Sequence, residues 1–246
     1  MRVAYQAVFK RYELKYMLTR EQKLRILQAM EPYMALDSYG RTTIRNIYFD
    51  TDTYRLVRRS IERPAYKEKL RIRSYARAQA ESAVFVELKK KYHSVVYKRR
   101  IAMPEREAMD WVCGGHCPKE NQISREVDYF LQFYGSVRPA VFLSYQREAY
   151  YAGDGADFRV TFDDTILCRL EDLSLGSEVY GTPLLPEGMT LMEIKCSGGI
   201  PLWMTRILSR ERIYKTSFSK YGTAYQKNIY PTLNRTWNCK EEASHA

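Results

Sequence analysis

Histidine is scarce in this 246-residue chain: only His93, His116 and His245 occur. No Gly-x-Ser-x-Gly elbow, no Walker A loop and no Gly-x-Gly-x-x-Gly turn is present, which removes the commonest nucleophile and nucleotide-cradle signatures. No apolar run is long enough to span a bilayer as a helix, and the opening residues MRVAYQAVFKRYELKY lack the apolar stretch of a secretory signal. The five cysteines, at 113, 117, 168, 196 and 239, are scattered and odd in number, as expected of a reducing, cytoplasmic setting. One cluster, Cys113-Gly-Gly-His-Cys117, offers at most three metal ligands with no second pair to complete a zinc site. A Gly-rich turn after a helix is the better reading of it.

Acid is also in short supply. Forty Lys and Arg stand against 29 Asp and Glu, for a net charge of +11 and a pI near 9.3. Such a balance attracts nucleic acid, acidic membranes or phosphorylated small molecules, and charge alone does not choose among them.

The placement of the cations is more informative. Residues 66–75, 83–92 and 95–103 read as three consecutive strands. In the first, Lys67, Lys69, Arg71 and Arg73 alternate with Leu70 and Ile72. In the second, Glu87, Lys89 and Lys91 oppose Val84, Val86 and Leu88. The third carries Lys98 and Arg100 on one face, with Arg99 alternating. Period-two alternation puts one face on a core and the other against something polar. Solvated faces usually mix signs, and like charges opposite one another across strands are destabilising. A face built almost wholly of Lys and Arg calls for an anion.

The remaining strands repeat this logic. Residues 8–18 place Arg11, Glu13 and Lys15 together; residues 42–50 form another strand. Residues 140–151 carry Arg147, residues 158–164 carry Arg159 and Asp163, and a short strand is expected at 166–170. Residues 190–196 set Glu193 and Lys195 opposite Met192, Ile194 and Cys196. Helices are expected from a Thr19 cap, with Gln22 three residues on, to Met30, and around residues 52–60 and 105–112. Three more are expected at 123–133 with Ser124 near the start, from 202 to 208, and over 217–227. Gly153-Asp154-Gly155 marks a turn. The fold class expected is α+β: antiparallel strands that can close into a β-barrel around a charged lumen, with helices packed over the apolar outside. Residues 1–230 would form this single domain and 231–246 a disordered tail.

Arg forks and Lys ammonium groups bind phosphate oxygens. A carboxylate among them can neutralise the lining or hold a hard divalent ion that bridges phosphates. For Glu193, metal binding and pairing with Lys195 or a nearby Arg stand side by side. Phosphoryl transfer needs positioning and charge stabilisation rather than a protein nucleophile, so such a lining suffices.

Nine short motifs occur in a telling order: Phe9-Lys-Arg-Tyr-Glu-Leu-Lys-Tyr16, Ile47-Tyr-Phe-Asp50, Lys69-Leu-Arg-Ile-Arg-Ser-Tyr75, Val86-Glu-Leu-Lys89, Tyr97-Lys-Arg-Arg100, Tyr145-Gln-Arg147, Arg159-Val-Thr-Phe-Asp163, Met192-Glu-Ile-Lys195 and Ser219-Lys-Tyr221. Over residues 9–225 the chain resembles VTC domains, the polyphosphate polymerase domains of the triphosphate tunnel metalloenzymes, in their bacterial stand-alone form. The resemblance implies that the barrel is a closed antiparallel tunnel with the C-terminal helix at one end. It also implies transfer of the terminal phosphate of ATP to a growing polyphosphate chain, with a divalent metal, manganese before magnesium. ATP, inorganic polyphosphate, triphosphate and pyrophosphate would be its partners, with no specific nucleic acid. It implies Arg71, Arg73, Lys89, Arg147, Arg159 and Lys195 as catalytic. Lys15, Lys69, Lys91, Lys98, Arg100, Lys220, Tyr48 and Ser219 would bind substrate. Glu193 would ligate the metal, with support from Glu13 or Glu87. Where the cyclase and thiamine triphosphatase branch opens with Glu-x-Glu-x-Lys, this chain has Arg11-Tyr-Glu13-Leu-Lys15, which favours the polymerase branch. The same lining also suits a tripolyphosphatase or nucleoside triphosphatase, or a non-catalytic polyphosphate-binding module.

Overall fold

The computed structural model describes residues 12–93 and 95–233. The elements run β1 (Tyr12–Leu18), α1 (Arg20–Met30), β2 (Met34–Leu36), β3 (Thr42–Thr51), α2 (Arg55–Ile61), β4 (Tyr66–Ser74), β5 (Ala83–Tyr92) and β6 (Val95–Pro104). There follow α3 (Glu105–Val112), α4 (Gln122–Tyr134), β7 (Val137–Ala152), β8 (Phe158–Arg169), β9 (Thr182–Pro183) and β10 (Thr190–Cys196). The described chain closes with α5 (Leu202–Arg210), β11 (Lys215–Thr216), α6 (Lys220–Ala224) and a π-helical turn at Tyr225–Ile229. Residues 8–11 of the first expected strand, and 234–246 of the expected tail, lie outside the described residues.

Local chemistry sets most boundaries. Thr19 and Gln22 form a reciprocal capping box at α1. At α4 the cap is Asn121 rather than Ser124: its Oδ1 accepts from the Ile123 and Ser124 amides at 2.8 and 3.1 Å, and Ser124 Oγ accepts from the Asn121 amide in return. The helix expected around 52–60 starts at Arg55, because Tyr54 sits in the left-handed region at φ 56°. Its free amides at Leu56 and Val57 bond the Asp50 carboxylate at 2.9 and 3.0 Å. The segments expected as two strands at 158–164 and 166–170 are one strand, β8, which runs through a left-handed Thr165 at φ 47° and a register shift against β7.

Every pairing in the sheet is antiparallel, in the order β11-β1-β10-β8-β7-β3-β4-β5-β6, with β2 on β7 and β9 on β8. The closed barrel expected from sequence is corrected. Among the described residues β6 has no second partner, and the outer edge of β1 is taken by β11 over only two residue pairs. The sheet nevertheless curls back on itself. Lys89 on β5 reaches Glu13 on β1 at 3.2 Å, although β10, β8, β7, β3 and β4 lie between them in the sheet.

The curl turns the charged faces inward and the apolar faces out, and helices cover much of the outside. One core packs Ile47, Leu70, Ile72, Val86 and Leu88 under Trp111 of α3 and Phe130 of α4. Trp111 is fully buried and donates its indole N–H to Asp128 at 2.6 Å, so truncation to Ala should cost about 3–5 kcal/mol. A second core sets Val160, Phe162, Met192 and Ile194 against α1 and α5. A third lies on the inner face, where Tyr221, Ala224 and Tyr225 of the C-terminal helical segment meet Tyr48, Val141, Leu143 and Leu191.

Candidate active site, a cationic lumen

The inward face of the curled sheet encloses a cavity of about 570 Å³. Strand alternation and register decide what lines it. β4 contributes Lys69, Arg71 and Arg73; β5 contributes Glu87 and Lys89; and the pairs Arg71↔Glu87 and Lys69↔Lys89 stand directly opposite.

Each cation on the β4 wall is oriented by a polar neighbour. Arg71 Nε donates to Glu87 at 2.8 Å and Nη1 to the Tyr48 hydroxyl at 2.8 Å. Arg73 Nε donates to Asn46 at 2.9 Å and Nη2 to the Tyr145 hydroxyl at 3.0 Å. Lys69 donates to Ser219 Oγ at 2.9 Å. Glu87 is 1% exposed and takes Lys98 at 2.8 Å and Arg100 at 2.6 Å besides Arg71. Burial disfavours its charged form, but Arg71, Arg73 and Lys98 overcome this and hold its carboxyl well below the usual range.

The opposite wall centres on two acids. Asp163, fully buried, accepts a bidentate fork from Arg147 at 2.6 and 2.6 Å and a bond from Lys220, which α6 brings in from the end of the fold. Glu193, 6% exposed, lies 3.5 Å from Lys220, 3.6 Å from Lys15, 3.7 Å from Arg147 and 3.8 Å from Lys195. Burial opposes its charge, and Lys220, Lys15 and Arg147 together hold it ionised far below the ordinary carboxyl pKa. Glu13 behaves likewise: against burial, Lys89, Lys15 and Lys195 bring it to about 2.

Burial and neighbouring cations move two lysines the other way. Burial, then Lys15 and Lys89, lowers Lys69 to about 7. Burial lowers Lys195 to about 8, with Glu193 opposing. These groups hold charge reluctantly, and an anion among them would restore it.

Of the residues expected from sequence, Lys15, Tyr48, Lys69, Arg71, Arg73, Lys89, Lys98, Arg147, Arg159, Lys195, Ser219 and Lys220 line the cavity, with Glu13, Glu87 and Glu193. Two do not. Arg100 turns its guanidinium onto Glu87 and Tyr75 and over the Phe85 ring at 4.1 Å. Lys91 stands two residue pairs beyond Lys89 along β5, outside the cavity. Residues given no role from sequence also enter: Tyr12, Tyr145 and Tyr221 line the lumen. Asp163, expected on the same face as Arg159, neutralises the lining by anchoring Arg147 and Lys220. Tyr145 shares the alternation of Arg147, a signal that its aromatic ring concealed by reading as core.

A divalent ion was expected at Glu193 with help from Glu13 or Glu87. Among the described residues no group of three or more His, Cys, Asp or Glu comes together. Glu13 and Glu193 do lie side by side, at 3.7 and 3.6 Å from the same Lys15 nitrogen. One or two carboxylates, completed by water and substrate phosphates, is a usual arrangement for a small hard cation, so this pair fits one. Glu87 does not belong to it, being taken by Arg71, Lys98 and Arg100.

Fold and lining together define a tunnel-type antiparallel sheet whose interior is built for anions. The VTC domain model matches residues 10–229, and the chain belongs to the VTC domain family. In three dimensions it is similar to a candidate adenylate cyclase of Bacillus halodurans, at a TM-score of 0.53 and 15% identity, covering 87% of this chain and 96% of that one. It is also similar to a candidate adenylyl cyclase of Hippeastrum, described as having a dominant triphosphatase activity, at a TM-score of 0.50 and 16% identity, covering 87% and 94%. At these identities the likeness is one of fold. No curated protein matches the chain by sequence.

Proposed function

We propose that this protein is a metal-dependent polyphosphate polymerase, working in the cytoplasm, that moves the γ-phosphate of ATP onto a growing inorganic polyphosphate chain. The observation that carries the reading is Glu193, a buried acid ringed by Lys220, Lys15, Arg147 and Lys195 and facing a wall of further Lys and Arg. A terminal oxygen of the acceptor chain attacks the γ-phosphorus. The bond from that phosphorus to the β-bridging oxygen breaks, ADP leaves, and the chain is one phosphate longer. No protein nucleophile is needed. Arg71, Arg73, Arg147, Arg159, Lys89 and Lys195 spread the charge on the transferring group. Tyr48, Asn46, Tyr145 and Asp163 fix the arginine forks in advance, so little reorganisation accompanies reaction. A divalent ion held by Glu193 and Glu13, manganese before magnesium, would supply Lewis-acid neutralisation of the phosphate oxygens.

Incubation with ATP and Mn²⁺ should yield long polyphosphate on a gel. Orthophosphate as the only new product would instead establish the second reading, a tripolyphosphatase or nucleoside triphosphatase in which water replaces the acceptor. That reading is favoured by the fold likeness to the Hippeastrum protein. Binding of triphosphate without metal-dependent turnover would leave a polyphosphate-binding module.

A further inference from the structure

The cationic wall does not stop where the cavity does. On β4 and β5 the pair Lys69↔Lys89 lines the lumen, and the next inward-facing pair, Lys67↔Lys91, lies outside it. These two lysines are directly opposite on neighbouring strands, and neither forms an ion pair among the described residues. The Lys67 ammonium donates only to the Ser60 carbonyl, at 3.3 Å. Burial lowers its pKa, and the strongest neighbouring charges, Lys91, Lys15, Arg63 and Lys89, push the same way. Like charges set opposite one another in a sheet are a standing cost, and elsewhere this wall relieves it with Glu87, Glu13 or a tyrosine hydroxyl. At Lys67 and Lys91 no carboxylate among the described residues pairs with either ammonium, and Lys67 has only the Ser60 carbonyl.

Length then narrows what could. Arg73 and Lys67 are six residues apart on one strand, about 20 Å at the rise of an extended chain. Three linked phosphates cannot touch both. A longer phosphoanhydride chain carries charge along its whole length and can. We infer that Lys67 and Lys91 form a track on which a linear polyphosphate leaves the lumen, gripping phosphates beyond the reach of a triphosphate and giving the site a preference for long chains. This rests on the polymerase reading of the lumen and deepens it. The placement of rings favours polyphosphate over a nucleic-acid strand: the β6 neighbour of Lys91 is Val96, not an aromatic residue. Tyr66 and Tyr92, the neighbouring pair, alternate to the other side.

The test is the double variant Lys67→Ala, Lys91→Ala, with affinities for tripolyphosphate and for long-chain polyphosphate measured over a range of salt. Tripolyphosphate binding should stay within about twofold of wild type, while long-chain binding weakens by about tenfold and its log–log salt slope shrinks by about 1.4, the value for two lost contacts on a single strand. An unchanged or raised melting temperature, reflecting relieved repulsion, accompanies that result. Equal weakening for both ligands would place the lysines in the triphosphate site and overturn the track, as would no change for either. A single-stranded RNA of equal charge that binds wild type as tightly as polyphosphate, and loses as much in the variant, would overturn it in favour of nucleic acid. If wild type binds neither phosphate ligand, the lumen reading itself fails, and the track with it.

Discussion

The Lys89 ammonium meets the Glu13 carboxylate at 3.2 Å across the seam of the sheet, joining two walls that no backbone ladder connects among the described residues. Lys89 is 40% and Glu13 26% exposed in their side chains, so the pair contributes less than about 1 kcal/mol. Its larger effect is electrostatic. Glu13→Gln should leave the melting temperature nearly unchanged, raise metal-free triphosphate affinity severalfold, and shrink the benefit of added Mn²⁺. Titration calorimetry with and without the metal measures both; an undiminished metal response would remove Glu13 from the metal pair.

Glu193 and Glu87 are both buried acids among cations, yet their substitution should separate activity from stability. Glu193→Gln should lower Mn²⁺-dependent turnover by about 100-fold or more, the scale of losing a transition-state electrostatic group. Glu87→Gln strands Arg71, Lys98 and Arg100 around a neutral amide and should cost about 3 kcal/mol. For a chain of this length that is a fall in Tm of roughly 6–12 °C. Thermal melts and product assays on the two variants decide it. Normal turnover in Glu193→Gln would exclude the metal role.

Lys69 should write its own pH dependence into stability. Burial, then Lys15 and Lys89, brings its pKa from 10.5 to about 7. Between these values the unfolded chain holds a proton there that the folded protein does not, so stability should rise with pH from about 7 to 10.5. Below 7 the cost of the buried charge is present in full. Urea midpoints of wild type and Lys69→Met across that range test the sign: the variant's curve should be flatter. Triphosphate binding near pH 8 should also draw in a proton, seen as a dependence of the binding enthalpy on the buffer.

Asp163 holds two elements at once, through Arg147 on β7 and Lys220 on α6. Asp163→Asn should cost about 3 kcal/mol or more, because two buried cations lose their counter-charge. Limited proteolysis should then cut near residues 215–229 at concentrations of protease that leave wild type intact. Equal resistance of the two proteins would show that α6 is held by its apolar contacts alone.

Much of this was legible in the residues. The alternation of Lys69, Arg71 and Arg73 with Leu70 and Ile72 is a short-range signal, and it located the lumen wall. Thr19 with Gln22 marked a helix start for the same reason. Sheet closure was not legible, because whether β6 meets β1 depends on total curl rather than on any local pattern. The strands at Met34–Leu36, Thr182–Pro183 and Lys215–Thr216 are too short to show a period. Tyr145 was hard to assign because one side chain does two things: it packs its ring in the inner core and turns its hydroxyl to Arg73. The link between Asp163 and Lys220 spans 57 residues, and nothing in either neighbourhood announces it.

That spacing has a consequence for how the protein is made. Tyr221 donates to Asp50, 171 residues earlier in the chain. A ribosome working at 5–20 residues per second would deliver the two ends of that bond about 10–30 s apart. Asp50 exists without its last partner throughout that interval and Asp163 for about the final third of it, and the inner face they support stays unfinished. Completion of the cationic lumen is therefore a late event for the nascent chain, coming after nearly all of its sheet has been translated.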